Sequence, residues 1–173
     1  MRKIIFIMMI ISFAAFRTEA AQVKIGYVDL QKIVTTSDQG KEAMGTLDSI
    51  EKAKTALINA KVLEIKKLEE ELTKQSAVLT PESKEKKQME HEKLMMDYQK
   101  MRRDRDEELK KNEAEFIQKI VLDVKTLLKK IAEEEGYTVI LSEQGVIYIP
   151  DEFNLTDRVI KQFNEGSKKT KSE

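Results

Sequence analysis

The chain has 173 residues with 31 basic and 31 acidic side chains, so its formal net charge is zero, and it contains no cysteine and one histidine. This balance excludes the strong positive field of nucleic-acid-binding proteins, and the lack of cysteine excludes disulfides and a lipid-modified cysteine. Because the sequence also lacks a glycine-rich phosphate loop and a metal-ligand cluster, it predicts no catalytic residue, no cofactor and no metal site.

Residues 1–20 have the pattern of a cleavable secretory signal. Two basic residues precede an apolar run at residues 4–16, which is too short to span a membrane comfortably. Thr18 and Ala20 supply small residues before a cleavage site. An uncleaved amino-terminal anchor is the alternative interpretation. A signal on a chain without cysteine predicts export to the bacterial periplasm.

Residues 21–38 begin a small body. Residues 23–29 alternate in hydrophobicity and include β-branched and aromatic side chains, which predicts one strand. Residues 30–34 fit a single helical turn. Thr36, Ser37 and Asp38 then offer N-cap chemistry for a long helix.

Residues 39–135 predict an antiparallel helical hairpin. The first helix runs from about residue 39 to residue 78, and two seven-residue stripes follow it: Ile58, Ile65, Leu72 and Leu79, and, one residue out of phase, Ala43, Ile50 and Leu57. The first stripe is typical of a helix packed against one neighbour. The interruption at residues 79–83 is the predicted tip, because Thr80 can cap a new helix and Pro81 suits its first position.

The second helix, residues 81–135, returns along the first. A tip near Thr80 places residue i opposite about residue 161 − i over an arm about 60 Å long. This register predicts that Leu72 lies opposite Met89 and Ile65 opposite Met96. The apolar residues become denser at 117–135, and we expect this base of the arm to pack into the body.

Residues 136–165 return to the body. Gly136 predicts the end of the helix, and residues 137–142 and 146–149 predict a β-hairpin around the turn at residues 143–145. A short amphipathic helix follows from Leu155. The small and polar residues at 166–173 predict a disordered tail.

The predicted fold class is α+β: a long antiparallel helical hairpin, or coiled-coil-like arm, projecting from a small β-sheet body. Three short strands with open edges contain too few large apolar residues to close a core alone, so we expect oligomerisation to complete the body. The residues expected at that oligomer body are Ile25, Tyr27, Val28, Val139, Leu141, Ile147 and Ile149.

Four segments resemble the Skp, or OmpH-like, family of periplasmic chaperones of Gram-negative bacteria. They are IGYVDLQKI at residues 25–33, LTPE at 79–82, YTVIL at 137–141 and LTDRVIK at 155–161. The order and spacing of the segments carry the resemblance, which covers nearly all of the chain after the signal. The resemblance implies a homotrimer whose three arms enclose a cavity. It also implies an ATP-independent holdase, not an enzyme, for unfolded outer-membrane β-barrel proteins.

The outer half of the second helix is rich in methionine, a flexible side chain that adapts to varied apolar partners. The candidate client-binding residues are Met95, Met96, Tyr98 and Met101. Packing in the hairpin seam is the favoured interpretation for Met89, Met96 and Met101. Met95 lies on another face of the predicted helix and is therefore the preferred client contact.

Arg102, Arg103 and Arg105 are the candidate contacts for anionic lipid or lipopolysaccharide, which the resemblance implies. The acidic residues at positions 104 and 106–108 largely cancel this local charge, and a mixed run of this kind is typical of a solvated helix face. The sequence therefore argues against lipopolysaccharide or membrane binding. A different function remains open, in which the hairpin is a structural spacer or an adaptor of the cell envelope that binds one folded partner.

Overall fold

Two long helices joined by a tight turn make up more than half of the chain. The computed structural model describes residues 23–75 and 78–170, and the predicted signal at residues 1–20 lies outside them. The elements in chain order are β1 (Ile25–Val28), α1 (Leu30–Thr36), α2 (Asp38–Lys74), α3 (Pro81–Glu135), β2 (Val139–Ser142) and α4 (Thr156–Thr170), with short 3₁₀ turns at Glu143–Gly145 and Asp151–Phe153.

A single residue, Ser37, joins α1 to α2. Its side chain is completely buried, and its Oγ accepts a hydrogen bond from the Gly40 N–H at 3.1 Å. The Asp38 N–H donates to Asn164 Oδ1 of α4 at 2.9 Å, so two side chains accept hydrogen bonds from amide groups at the start of α2. The predicted N-cap is confirmed, and the root of the arm is hydrogen-bonded to α4.

The tip of the hairpin differs from the prediction at one end. α2 ends at Lys74 and not at residue 78, because the Gln75 carbonyl accepts hydrogen bonds from the N–H groups of both Val78 and Leu79 and so turns the chain. On the other side, Thr80 Oγ1 accepts from the Ser83 N–H at 3.2 Å and Pro81 opens α3, as predicted. Gly136, in the left-handed region with φ of 71°, ends α3.

Three polar side-chain pairs between α2 and α3 report the register of the hairpin. Lys54 pairs with Glu108 at 2.6 Å, Glu69 with His91 at 3.0 Å and Glu71 with Lys87 at 2.5 Å. In each pair the two residue numbers add up to within three of 161. The predicted antiparallel register is therefore confirmed over the outer two thirds of the arm.

The core lies where the base of α3 meets the body. Its buried residues come from four elements or the turns beside them: Val28, Ile33, Ile120, Val124, Ile131, Leu155, Val159 and Phe163. Ile120, Val124 and Ile131 recur at helical spacing along α3, which turns one face of its base toward β1, α1 and α4. The arm is thus a continuation of a core helix.

Among the described residues the sheet has two strands, and the predicted β-hairpin is wrong. β1 pairs with β2 in parallel, with Ile25 opposite Val139 and Val28 opposite Ser142. The hairpin fails because residues 143–145 form a 3₁₀ turn, with the Val146 N–H bonded to the Glu143 carbonyl, and residues 146–149 then leave the sheet. On the far side of β1, Tyr27 forms an isolated bridge with Asn154.

The carboxyl-terminal helix is longer than expected. Residues 166–170, predicted to be disordered, continue α4, while residues 171–173 lie outside the described part of the chain. Contacts with the start of α2 explain the difference: Gln39 Nε2 donates to Ser167 Oγ at 2.5 Å, and Lys168 pairs with Asp38 at 3.6 Å. A small polar segment is ordered here because it has a polar partner.

Candidate functional site

The hairpin seam is narrow and asymmetric. On α2, Ile58, Ile65 and Leu68 are buried against α3. On α3, the apolar and aromatic residues along the outer and middle arm are at most half-buried: His91, Leu94, Met95, Tyr98, Met101 and Leu109. Because each helix has a single neighbour along the arm, most of its circumference is exposed to solvent.

The methionines occupy different faces from those expected. Met89 and Met96, predicted to pack in the seam, are 58% and 63% exposed, whereas Met95 is half-buried. The register places residues at a height on the arm but does not set which face they occupy. His91 and Tyr98 face α2, and Met89 and Met96 each lie two residues earlier, about 200° around the helix. The expectation for Met101 stands, since it is half-buried.

Exposed apolar side chains also lie on α2 and at the base of the arm. Leu57 and Leu63 are more than half exposed on α2, and Met44, Ile117 and Leu122 are exposed nearer the body. Sequence reasoning did not single out Leu63. Its position outside the seven-residue stripe of Ile58 and Ile65 is the signal that could have shown it to be exposed. Together with Met89 and Met96, Leu57 and Leu63 form what we call the arm surface.

The three arginines at residues 102–105 make different local contacts. The Arg102 guanidinium lies over the Tyr98 ring, 5.7 Å from its centroid, and so covers one of the candidate client contacts. Arg105 is half-buried and pairs with Asp106 at 2.7 Å. Arg103 is exposed and has no ion-pair partner in the described part of the chain. The three arginines therefore do not present one common basic patch.

The residues expected at an oligomer body fall into two groups. Tyr27 and Val28 are buried inside their own chain, Val28 in the core shared with α3 and α4 and Tyr27 beside Asp151 and Asn154, whereas Ile25 and Ile149 are half-buried. Burial raises the pKa of the Tyr27 phenol, and the nearby Asp151 carboxylate, whose Oδ1 lies 3.4 Å from the Tyr27 hydroxyl, raises it further. Tyr27 therefore stays a neutral donor within the body.

The second group forms an exposed apolar surface beside the sheet. Val139 and Leu141 on β2 are partly exposed, and Ile147 and Tyr148 in the segment that leaves the sheet are almost completely exposed. One edge of β2 pairs with β1 and the other has no strand partner among the described residues. Apolar side chains beside an unpaired strand edge are a surface on which another chain can pack.

A groove of about 820 Å³ opens at the root of the arm between α2, α3 and α4. Phe116, Ile120, Leu127 and Phe163 contribute its apolar lining, and Lys119, Asp123 and Lys130 are among its charged residues. Within residues 23–75 and 78–170, no group of three acidic, histidine or cysteine side chains is placed to hold a metal ion. None of the helices in these ranges combines the length and apolarity that crossing a bilayer requires.

Comparisons with known proteins give one consistent result. Residues 24–163 match the family model described as outer membrane protein (OmpH-like). Chaperone protein Skp of Vibrio cholerae is 28% identical over 150 residues, which cover 87% of this chain and 88% of the relative. The crystal structure of a candidate OmpH-like outer membrane chaperone from Caulobacter crescentus CB15 superposes with a TM-score of 0.77 at 14% identity, covering 83% of this chain and 85% of that one.

Proposed function

The chain belongs to the OmpH-like family, and from that premise we propose that it is an ATP-independent holdase chaperone of the periplasm. Its clients are unfolded outer-membrane β-barrel proteins, which it keeps from aggregating in transit. The curated relative is named a chaperone, which favours binding over catalysis as the activity. In this proposal residues 1–20 direct export, residues 39–135 form the arm, and residues 21–38 and 136–165 form the body.

The observation that carries the proposal is the exposed apolar character of the arm surface. Leu57, Leu63, Met89 and Met96 are each more than half exposed, on helices whose other outward positions are mostly charged. Dispersed apolar side chains give many weak contacts, which can hold an unfolded chain without binding it irreversibly. Met96 replaces Met95 as the principal client contact, whereas Tyr98 and Met101 face the seam and are only secondary candidates.

Clients need an enclosing surface, which a single arm does not provide. We assign the surface of Val139, Leu141, Ile147 and Tyr148 to contact between subunits, because these apolar residues are exposed beside an unpaired strand edge. Association through this surface would bring several arms to one side of a shared body. The homotrimer that the family resemblance implies is one such arrangement.

The client-contact proposal is tested by removing apolar surface without disturbing the seam. The variant Met89→Ser with Met96→Ser changes only exposed side chains, so its helical content and thermal unfolding should match those of the parent chain. Its ability to suppress aggregation of a urea-diluted β-barrel protein, measured by light scattering, should fall severalfold. The matched control is Gln88→Ser with Gln99→Ser, two exposed polar positions on the same helix. Equal activity of both variants would refute client contact at these methionines.

A further inference from the structure

The sulfur atoms of this chain are all thioethers, and most of them lie on one part of the arm. The sequence contains no cysteine, and after residue 20 methionine occurs only at positions 44, 89, 95, 96 and 101. Four of these five positions fall within the outer half of α3. Cysteine and methionine are the sulfur side chains that two-electron oxidants attack. With no thiol to compete, such an oxidant finds its targets concentrated on the arm.

The four methionines of α3 differ in their exposure to solvent. Met89 and Met96 are more than half exposed, and because they are seven residues apart they lie on the same face of the helix, about two turns from each other. Met95 and Met101 are half-buried. Oxidation of a sulfur requires the oxidant to reach it, so exposure sets the order of reaction. A dissolved oxidant therefore reaches Met89 and Met96 first.

We propose that Met89 and Met96 are oxidation sites through which a peroxide weakens client binding by the arm surface. A lone pair of the thioether sulfur attacks one oxygen of hydrogen peroxide, the O–O bond breaks and an S–O bond forms. The sulfur loses two electrons, and the departing hydroxide takes the proton of the transferred hydroxyl group and leaves as water. This regulation rests on the proposed function, since it acts on the same surface.

The sulfoxide changes the polarity of the contact and not its place. A thioether is flexible and apolar, whereas a sulfoxide is polar and its oxygen accepts hydrogen bonds from water. Burying that oxygen against an apolar segment of a client costs free energy that the thioether does not require. The other members of the arm surface, Leu57 and Leu63, contain no sulfur and stay apolar. Oxidation therefore weakens the holding of clients without abolishing it.

The arm itself should stay folded when these two sulfurs are oxidised. Because Met89 and Met96 are exposed, the added oxygens remain hydrated and remove no buried contact. The buried side chains of the seam on α2, which are Ile58, Ile65 and Leu68, are aliphatic and do not react with peroxide. Holding activity should therefore fall while the helical content is unchanged.

Timed oxidation of the assembled chain, residues 21–173, with hydrogen peroxide tests the proposal. Peptide mass spectrometry should find Met89 and Met96 oxidised before Met95 and Met101, and circular dichroism should show unchanged helical content at that stage. Suppression of aggregation of a urea-diluted β-barrel protein, measured by light scattering after the peroxide is removed with catalase, should have fallen severalfold. Methionine sulfoxide reductases, one for each sulfoxide epimer, should restore it.

Two leucine variants identify which sulfurs matter. Met89→Leu with Met96→Leu removes the exposed sulfurs and keeps apolar side chains of similar size, so peroxide should no longer lower its holding activity. Met95→Leu with Met101→Leu is the matched control, and peroxide should lower its activity by the same factor as in the parent chain. Each variant is compared only with its own unoxidised form, so a different starting activity does not affect the comparison.

The possible failures of this regulation and of the holdase are distinguishable. A parent chain that holds clients equally well before and after Met89 and Met96 are oxidised would overturn the regulation alone. So would an undiminished loss in Met89→Leu with Met96→Leu, or oxidation that reaches Met95 and Met101 first. A parent chain that holds no client before any oxidation would instead contradict the proposed function, and the regulation with it.

Discussion

At the scale of single residues, the root of the arm depends on Ser37 and Gly40. Ser37 was expected among the capping candidates, because its type and its position before an apolar-periodic segment are local signals. The role of Gly40 was not predicted, since it follows from how α1 and α2 meet. A Cβ at residue 40 would lie 1.7 Å from the Val34 carbonyl oxygen. Only a residue without a side chain permits this approach.

We predict that Gly40→Ala lowers the free energy of unfolding by about 1–3 kcal/mol or more, because backbone atoms must move to admit the methyl group. Gly45→Ala, one turn and a half further along α2, is the control. A Cβ there meets nothing within 4 Å, and alanine should stabilise the exposed helix by about 0.5–1 kcal/mol. Urea unfolding followed by circular dichroism measures both. Equal effects of the two substitutions would contradict the close approach.

At the scale of elements, the hairpin could be predicted and the faces of its helices could not. Seven-residue spacing of Ile58, Ile65 and Leu72 is a local signal for an arm with one seam, and the tip at Thr80 and Pro81 fixes its register. Which α3 face meets α2 depends on small rotations along 55 residues, so an error of one position moves a side chain by about 100°. The seam assignments of Met89 and Met96 failed for this reason, whereas that of Met101 stands.

We predict that Leu68→Ala destabilises the arm by about 2 kcal/mol or more, because Leu68 is one of three buried α2 residues in the seam. Leu63→Ala removes the same atoms from an exposed position and should change stability by less than about 0.5 kcal/mol. Hydrogen exchange of the outer arm at fixed protein concentration checks both values. Similar losses of protection in the two variants would show that the seam is placed wrongly.

Strong acid should loosen the arm through Glu71. The hydrogen bond and the charge of Lys87 hold the pKa of the Glu71 carboxyl below its ordinary value of 4.5. A carboxyl whose pKa is lower in the folded state stabilises the fold above its unfolded pKa, and this stabilisation is lost as the pH falls below about 4.5. Outer-arm exchange should therefore quicken between pH 5 and pH 3, after intrinsic correction. Lys87→Gln should weaken this acid response, and an undiminished response would exclude the pair as its cause.

At the scale of the whole molecule, the body combines a core of eight buried residues with a two-stranded sheet whose outer edge has no strand partner among the described residues. The pairing of β1 with β2 joins residues more than a hundred positions apart, so a sequence pattern that favoured the adjacent segment 146–149 led to the wrong partner. The expected third strand instead contributes Ile147 and Tyr148 to an exposed apolar surface. The case for a second subunit thus comes from the exposed apolar surface of Val139, Leu141, Ile147 and Tyr148.

We predict that Ile147→Ser with Tyr148→Ser shifts the chain to a smaller assembly, because it removes apolar area from the proposed contact between subunits. Val78→Ser at the tip of the arm, another highly exposed apolar position, is the control and should leave the assembly unchanged. Size-exclusion chromatography with light scattering gives the mass of each variant. A parent chain that is monomeric, or a double variant of unchanged mass, would contradict assembly through this surface.

Above all, we propose that this chain holds unfolded barrel proteins in solution. The most direct measurement is light scattering of several unrelated outer-membrane β-barrel proteins diluted from urea, with and without residues 21–173 and with no nucleotide present. If the chain is a holdase, equimolar assembled protein suppresses aggregation of every client, and each client elutes in a soluble complex. Aggregation that proceeds unchanged, while the chain binds a single folded envelope protein tightly, would contradict the holdase and favour an adaptor.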